Sequence, residues 1–323
     1  MGEHAQETER ASQILRVGVV GVGYLGRFHA QKYAALPGVT LVAVVDTNPD
    51  RATEIALESQ TTALTDYRAL FGQVDCVSIA VPTQFHHTVA RDFLSQDIDV
   101  LVEKPLTATA AEGQELVTLA DRYQRILQVG HLERFNPALR SLTGILTAPR
   151  FIECQRVAPF VERGTDVDVV RDLMIHDLDV ILSLVRSPVT SIEAFGVPVL
   201  TSEPDIANAR LRFASGCIAN VTASRVALKR ERKMRVFQPD TYLVVDYGEQ
   251  RIRICRREPG AQPGALPNLT FEERAVGGED ALEEEIRAFL QAVRDRSQPV
   301  VSGHDGLQAL EVAERIMGCL EIP

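Results

Sequence analysis

Between residues 14 and 131 the chain alternates short, unbroken apolar runs with segments of helical period. Residues 15–21 are apolar and β-rich, and 24–35 follow a helical pattern. VTLVAVVD (39–46) is a second apolar run, and NPDRATEIALES after it predicts a helix with Asn48 as N-cap and Pro49 in its first turn. VDCVSIAVP (74–82), IDVLVEKP (98–105) and ILQVGH (126–131) predict further strands. Helical patterns in HHTVARDFLSQ and TATAAEGQELVTLADRYQ separate them. Continuously apolar strands alternating with helices predict a parallel sheet covered on both faces. Right-handed crossovers then point to a doubly wound, Rossmann-type fold.

The rhythm changes after residue 131. Helices are predicted in NPALRSLTGIL and over 171–186, with the strand RFIECQRV between them. Alternating strands follow: SIEAFGVPVL, IANARLRFA, CIANVTASRV, KMRVFQPD, TYLVVDY and RIRICRR. ASG at 214–216 and Gly248 suit hairpin turns, so this half predicts a largely antiparallel sheet. REPGAQPGALPN (257–268) reads as a Pro/Gly-rich surface loop, and ALEEEIRAFLQAVRDR and DGLQALEVAERIMGCL as closing helices. The resulting division is a loose polar tail over 1–13, a dinucleotide-binding domain over 14–131, and an α/β domain for substrate binding and oligomerisation over 132–323.

A chain of 323 residues is long for one core, which agrees with two domains. Its formal net charge of −10 argues against a general nucleic-acid binder. The basic run Lys229-Arg230-Glu231-Arg232-Lys233 reads as a solvated loop or strand edge. Five widely spaced cysteines without a CxxC pair suggest reduced thiols and a cytoplasmic protein. No apolar run is long enough to span a membrane, and the polar start does not read as a signal peptide.

Candidate chemistry begins at VGVVGVGYLGRFHA, which holds Gly21-x-Gly23-x-x-Gly26 where a strand gives way to a helix. In such a loop the first glycine permits the tight turn, the second admits a pyrophosphate and the third lets helix and strand pack closely. The helix N-terminus, through Tyr24 and Leu25, presents open N–H groups to phosphate. Asp46, at the end of the second strand and 20 residues beyond Gly26, is placed to accept the hydroxyls of an adenosine ribose. A carboxylate there disfavours a 2′-phosphate, so the cofactor predicted is NAD.

Glu103-Lys104-Pro105 ends another sheet strand, on the side where doubly wound folds bind ligands. Lys104 there reads either as a ligand for a substrate hydroxyl and the nicotinamide ribose, or as a surface lysine in a turn. In RDLMIHDLDVIL, Asp172 and His176 stand four apart and share a helix face, as a general base and its orienting carboxylate would. An ordinary surface pair is the alternative. Asp177 and Asp179 are near, but no second histidine is close in sequence, and no metal is predicted.

GVGYLGRFHA, VVDTNP, VPTQFHHTVA, VLVEKPL and DLMIHDLDVI together resemble the Gfo/Idh/MocA oxidoreductases. The likeness runs from about residue 15 to the closing FLQAVRDRSQPVVSGHDGLQALEVAERI. The resemblance implies a Rossmann domain joined to an α/β domain with an open-faced antiparallel sheet. It implies NAD(P)-linked oxidation or reduction of sugars and cyclitols, with Lys104 and His176 at the reacting carbon and Asp172 as partner of the histidine. It also places Pro82, Thr83 and His86 along the cofactor.

VGHLERFNPAL (129–139) and RVAPFVERGTDVDVVRDLMIHDLD (156–179) narrow the resemblance. GTDVDVVRD stands where most sugar dehydrogenases of the family carry a glycine-rich stretch. The pattern is similar to the branch that includes UDP-N-acetylglucosamine 3-dehydrogenases. That branch forms a 3-keto nucleotide sugar, which an aminotransferase converts toward 2,3-diamino sugars of lipid A or other glycans. Arg134, Arg156 and Arg163 are then candidate phosphate ligands. Glu133 and Asn136 are candidates for the sugar or its acetamido group, and Phe135 and Phe160 for packing on uracil or the sugar ring. Two other readings remain open: a dehydrogenase of a free sugar or cyclitol, and a non-catalytic dinucleotide sensor. An open-faced sheet needs cover, so a homodimer or homotetramer is expected.

Overall fold

The computed structural model describes residues 14–160, 168–258 and 268–322. The chain divides into two compact units. The first comprises residues up to Leu132 together with Leu282–Leu307, and the second comprises Glu133–Ala281 with the chain from Gln308 onward.

The first unit is built on six parallel strands: β1 (Leu15–Val20), β2 (Val39–Val45), β3 (Thr62–Leu64), β4 (Cys76–Ile79), β5 (Asp99–Glu103) and β6 (Leu127–Gly130). Their order is β3-β2-β1-β4-β5-β6, a doubly wound sheet with its switch point between β1 and β4. Helices α1 (Tyr24–Ala35), α2 (Pro49–Glu58), α3 (His86–Leu94) and α4 (Ala110–Tyr123) make the crossovers. Local chemistry sets their ends. The Asn48 side chain accepts from the amides of Asp50 and Arg51, with Pro49 in the first turn of α2. Thr109 and Glu112 close a reciprocal capping box on α4, and Gln124 ends it in the left-handed conformation.

One boundary differs from the sequence reading. The stretch 282–307, assigned to the second domain, belongs to the first unit. The reason is the apolar stripe of α7 (Ala281–Asp295): Ile286, Phe289, Leu290 and Val293 are buried in one cluster with Leu15, Val17, Val19 and Tyr33. A buried Phe or Leu side chain contributes about 1.5–3 kcal/mol, so this stripe outweighs proximity along the chain.

The second unit carries a nine-stranded sheet. Its strands are β7 (Phe151–Val157), β8 (Val189–Val197), β9 (Ile206–Phe213), β10 (Ile218–Ser224), β11 (Glu231–Gln238), β12 (Thr241–Asp246), β13 (Arg251–Arg257), β14 (Leu269–Ala275) and β15 (Leu320–Glu321). The order is β14-β13-β12-β11-β7-β10-β9-β8-β15. Pairing is antiparallel except at β7–β10 and β8–β15. Alternation along β9, β10 and β11 sends Ala209, Leu211, Val221, Met234 and Val236 into a core with Met174, Leu178 and Ile181. The neighbouring positions Phe151, Phe237 and Tyr242 form an aromatic row on β7, β11 and β12, with ring centroids 5.6 and 4.7 Å apart.

Two elements here depart from expectation. NPALRSLTGIL yields a single helical turn, α5 (Pro137–Arg140), after which the chain turns through Gly144 at φ +78°. The helix predicted over 171–186 begins as a π-helical turn, Val170–Met174, and continues as α6 (Ile175–Val185). The second closing helix is α8 (Gly303–Gly318). Among the described residues, no helix is long and apolar enough to cross a membrane.

Candidate active site

The glycine loop joins β1 to α1. Gly21 sits at φ +82°, and a side chain there would lie 2.7 Å from the Val81 amide nitrogen. A Cβ at Gly26 would collide with the Gly21 carbonyl oxygen, so this glycine sets how closely helix and strand approach. Gly23 differs: nothing lies within 4 Å of where its Cβ would be. It is the N-cap of α1, and no side chain caps the helix. Tyr24 and Leu25, in the first turn, are exposed. An open cradle at an uncapped helix start fits a pyrophosphate.

Asp46 lies beside this loop. Its Oδ2 accepts from the Val22 amide at 3.0 Å and its Oδ1 from the Asn48 amide at 3.0 Å, which fixes the carboxylate at the end of β2. Arg51, in the first turn of α2, belongs to none of the sequence motifs. It donates from Nε to the Val22 carbonyl at 2.8 Å and from Nη2 to the Gly23 carbonyl at 3.1 Å, bracing the loop from α2. Its signal would have been a cation one turn into the helix that follows the ribose carboxylate.

Lys104 follows the end of β5, half-buried, and its bond to Pro105 is cis. Pro82 and Thr83 begin a short 3-10 turn after β4, with Pro82 exposed and Thr83 half-buried. His86 is buried, with Nδ1 2.8 Å from the Pro105 carbonyl and Nε2 2.9 Å from the Val81 carbonyl. Burial lowers its pKa, and the two carbonyls pull less strongly the other way. His86 thus ties together the loops that follow β4 and β5. Glu103 is bound by His29, whose Nε2 lies 2.9 Å from Oε1.

In the second unit, Asp172 and His176 are both half-buried. Asp172 lies in the π-helical turn and His176 in the first turn of α6. One turn of π-helix shifts a side chain's heading relative to an α-helix, and such turns recur at functional sites.

Four of the residues proposed for phosphate and sugar, Glu133, Arg134, Asn136 and Arg156, have partners within the protein. Arg156 is 3% exposed. It grips Asp177 through Nε at 2.9 Å and Nη2 at 3.0 Å, and reaches Glu133 Oε1 from Nη1 at 2.9 Å. Burial would lower its pKa, but the Asp177 and Glu133 carboxylates outweigh that and raise it, so the guanidinium stays charged. Asn136 caps α5 and donates to Glu133 at 3.3 Å. Phe135 is buried. Arg134 pairs with buried Asp179 at 3.3 Å. Arg232, on the basic run read as a solvated edge, approaches Glu133 at 3.7 Å. Phe160 is half-buried, and Arg163 lies outside the described residues. Glu133, Asn136 and Arg156 therefore form one buried polar network, which sequence spacing could not distinguish from a ligand site.

Residues 15–131 match the oxidoreductase family with NAD-binding Rossmann fold, and residues 140–244 match the GFO/IDH/MocA C-terminal domain. The chain belongs to the Gfo/Idh/MocA oxidoreductases. It is 38% identical to the UDP-N-acetylglucosamine 3-dehydrogenase of Acidithiobacillus ferrooxidans, over 95% of this chain and 97% of that protein. A solved structure of that dehydrogenase superposes with a TM-score of 0.90 at 38% identity, covering 95% of this chain and 97% of that one. An inositol 2-dehydrogenase of Leifsonia xyli is 29% identical over 88% of this chain and 86% of its own. Levoglucosan dehydrogenase in complex with NADH shares the fold, with a TM-score of 0.83 at 17% identity over 94% and 96% of the two chains. Membership makes the first unit an NAD-binding Rossmann domain, in agreement with the open cradle at Gly23 and the carboxylate at Asp46.

Proposed function

We propose that this protein oxidises the C3 hydroxyl of UDP-N-acetylglucosamine to the 3-keto nucleotide sugar, with NAD as acceptor. The observation that carries this reading is the end-to-end likeness to the A. ferrooxidans dehydrogenase, at 38% identity over 95% of the chain. NAD, when bound, supplies a two-electron acceptor at its nicotinamide ring. The chain's own groups supply the rest. Gly21, Gly23 and Gly26, with the start of α1, hold the pyrophosphate, and Asp46 holds the adenosine ribose. Glu103, Pro82 and Thr83 lie along the cofactor, and His86 supports it through the backbone it binds.

His176 takes the proton of the sugar hydroxyl, while Asp172 orients the imidazole and favours its charged form. Lys104 offsets the negative charge that the hydroxyl oxygen acquires as its proton leaves, a charge that is discharged when hydride departs from C3 and the carbonyl forms. Phe160 and Arg163 remain substrate contacts in this reading. Glu133, Asn136 and Arg156 act as the scaffold under α6, since their polar atoms already bind one another. The product is a ketone suited to transamination, so an aminotransferase is the partner in sequence. The aromatic row across β7, β11 and β12 supports a homodimer or homotetramer formed through the large sheet.

One observation favours a second reading, a dehydrogenase of free sugars or cyclitols. Two of the three arginines available for a diphosphate, Arg134 and Arg156, are bound to carboxylates. Reduced-nicotinamide absorbance with UDP-N-acetylglucosamine, N-acetylglucosamine, UDP-glucose and myo-inositol decides between them. A carbonyl trap must be present, because alcohol oxidation by NAD is uphill near neutral pH. A signal confined to UDP-N-acetylglucosamine is expected, and His176→Ala should reduce it by about 10²–10⁴-fold. Turnover of the free sugars with no need for the diphosphate would establish the second reading instead.

A further inference from the structure

The helix that follows the glycine loop carries a buried polar chain. His29, on α1, is 1% exposed, and its Nε2 lies 2.9 Å from Glu103 Oε1 at the end of β5. Its Nδ1 lies 3.2 Å from Ser78 Oγ on β4, and Ser78 Oγ lies 2.8 Å from the Tyr33 hydroxyl. A carboxylate only accepts, so Nε2 carries the hydrogen. In the neutral ring Nδ1 then accepts from Ser78, and Ser78 accepts from Tyr33. Burial pushes the Tyr33 hydroxyl well above its usual range, so it remains a donor. In that arrangement every bond points the same way, and the chain ends on Glu103.

The other carboxylate oxygen is fenced as well. Glu103 pairs in register with Gly130 of β6, and a Cβ on Gly130 would sit 3.0 Å from Oε2. Buried Glu285, on α7, places a carboxylate oxygen within 4.8 Å of the His29 and Glu103 donor atoms. On the far side of the turn, His86 holds the Pro105 carbonyl at 2.8 Å. Lys104 thus stands between two residues anchored by buried histidines from two different helices. Tyr33 is itself fully buried, so the chain is closed at that end.

We propose that His29 is a positioning residue: through Glu103 it fixes the turn that presents Lys104 to the reacting oxygen. It couples α1, the cofactor helix, to the lysine, so that both lie in one rigid frame before substrate arrives. This rests on the oxidation assigned above. A misplacement of about 1 Å near reacting groups costs about a hundredfold in rate.

The test compares wild type with His29→Ala, His29→Gln and Gly130→Ala as holoproteins. His29→Ala should lower kcat by about a hundredfold with NAD affinity and KM unchanged, and raise the isotope effect on substrate deuterated at C3. His29→Gln, which keeps a donor toward Glu103, should recover most of the loss. Gly130→Ala crowds the same carboxylate from the opposite side and should reproduce the His29→Ala signature. It also serves if His29→Ala fails to fold.

A fall in thermal stability with kcat and isotope effect unmoved would overturn the proposal. So would zinc-dependent activity that disappears in His29→Ala, since the group would then be a metal site. If wild type does not turn over UDP-N-acetylglucosamine, the reading of the substrate fails separately. The labelling rate of Lys104 by an acylating reagent, mapped by peptide mass, then tests positioning alone. Equal rates in wild type and His29→Ala would refute it.

Discussion

Gly23→Ala separates the cofactor cradle from the fold. The three loop glycines are chemically alike but face different surroundings. A methyl at Gly26 meets the Gly21 carbonyl and one at Gly21 meets the backbone of Ala80 and Val81, whereas one at Gly23 meets nothing within 4 Å. That empty volume lies at the uncapped start of α1. If it receives the pyrophosphate, a methyl there pushes a phosphate oxygen off at least one backbone N–H. A hydrogen bond to a charged group contributes about 1.5–3 kcal/mol, so NAD affinity should fall by about 10- to 150-fold. Calorimetric titration measures the loss directly. Thermal shift provides a second reading: at 100 Kd of NAD the wild type gains about 2.7 kcal/mol, and a variant weakened a hundredfold retains about 0.4 kcal/mol at the same concentration. The melting of the cofactor-free protein should change little. Undiminished NAD binding by Gly23→Ala would show that the cradle holds something else.

Two further predictions concern the second unit. Arg156→Ala leaves Asp177 buried without its cation and Glu133 with only the longer approach of Arg232, and should lose about 3–5 kcal/mol in urea unfolding. A variant as stable as wild type but unable to bind nucleotide sugar would return Arg156 to the ligand site. Asp205 accepts from the amides of Val199, Leu200 and Thr201 and from the Thr201 hydroxyl. Burial opposes its charge, but these donors outweigh it and lower its pKa from 3.8 to about 2. Its contribution, about 2 kcal/mol, is therefore full above the unfolded value and is lost as pH falls from about 4 toward 2. Asp205→Asn should remove that part of the acid sensitivity, and an unchanged acid unfolding curve would refute the assignment.

Much of the fold was legible because its signals are local. β1, β2, β4, β5 and β6 are apolar runs bounded by turn residues, and Asn48 with Pro49 starts α2 as its capping chemistry dictates. β14 was missed because nearly all of it is exposed, which leaves no apolar alternation to read. The return of α7 to the first unit could not be read either, since an amphipathic stripe does not say which core it enters. The same limit applies to the site. Gly21, Gly23, Gly26 and Asp46 announce themselves by spacing, because the loop and its carboxylate are made by one βαβ unit. Arg156 and Glu133 do not. An arginine facing phosphate and one gripping a buried aspartate look the same until Asp177, 21 residues downstream, is seen to meet it. His29 lies within GVGYLGRFHA, yet its partner Glu103 is 74 residues away.

The return of residues 282–307 to the first unit has a consequence for how the protein is made. During synthesis the six parallel strands precede the stripe of Ile286, Phe289, Leu290 and Val293 that covers part of their core, which comes roughly 150 residues after Leu132. At about 5–20 residues per second, that interval lasts on the order of 10–30 s. During it the core of the nascent sheet lacks the cover of this stripe, and most of the second unit is made, its last stretch from Gln308 still to come. The cofactor unit is therefore completed only after most of the second unit has been synthesised.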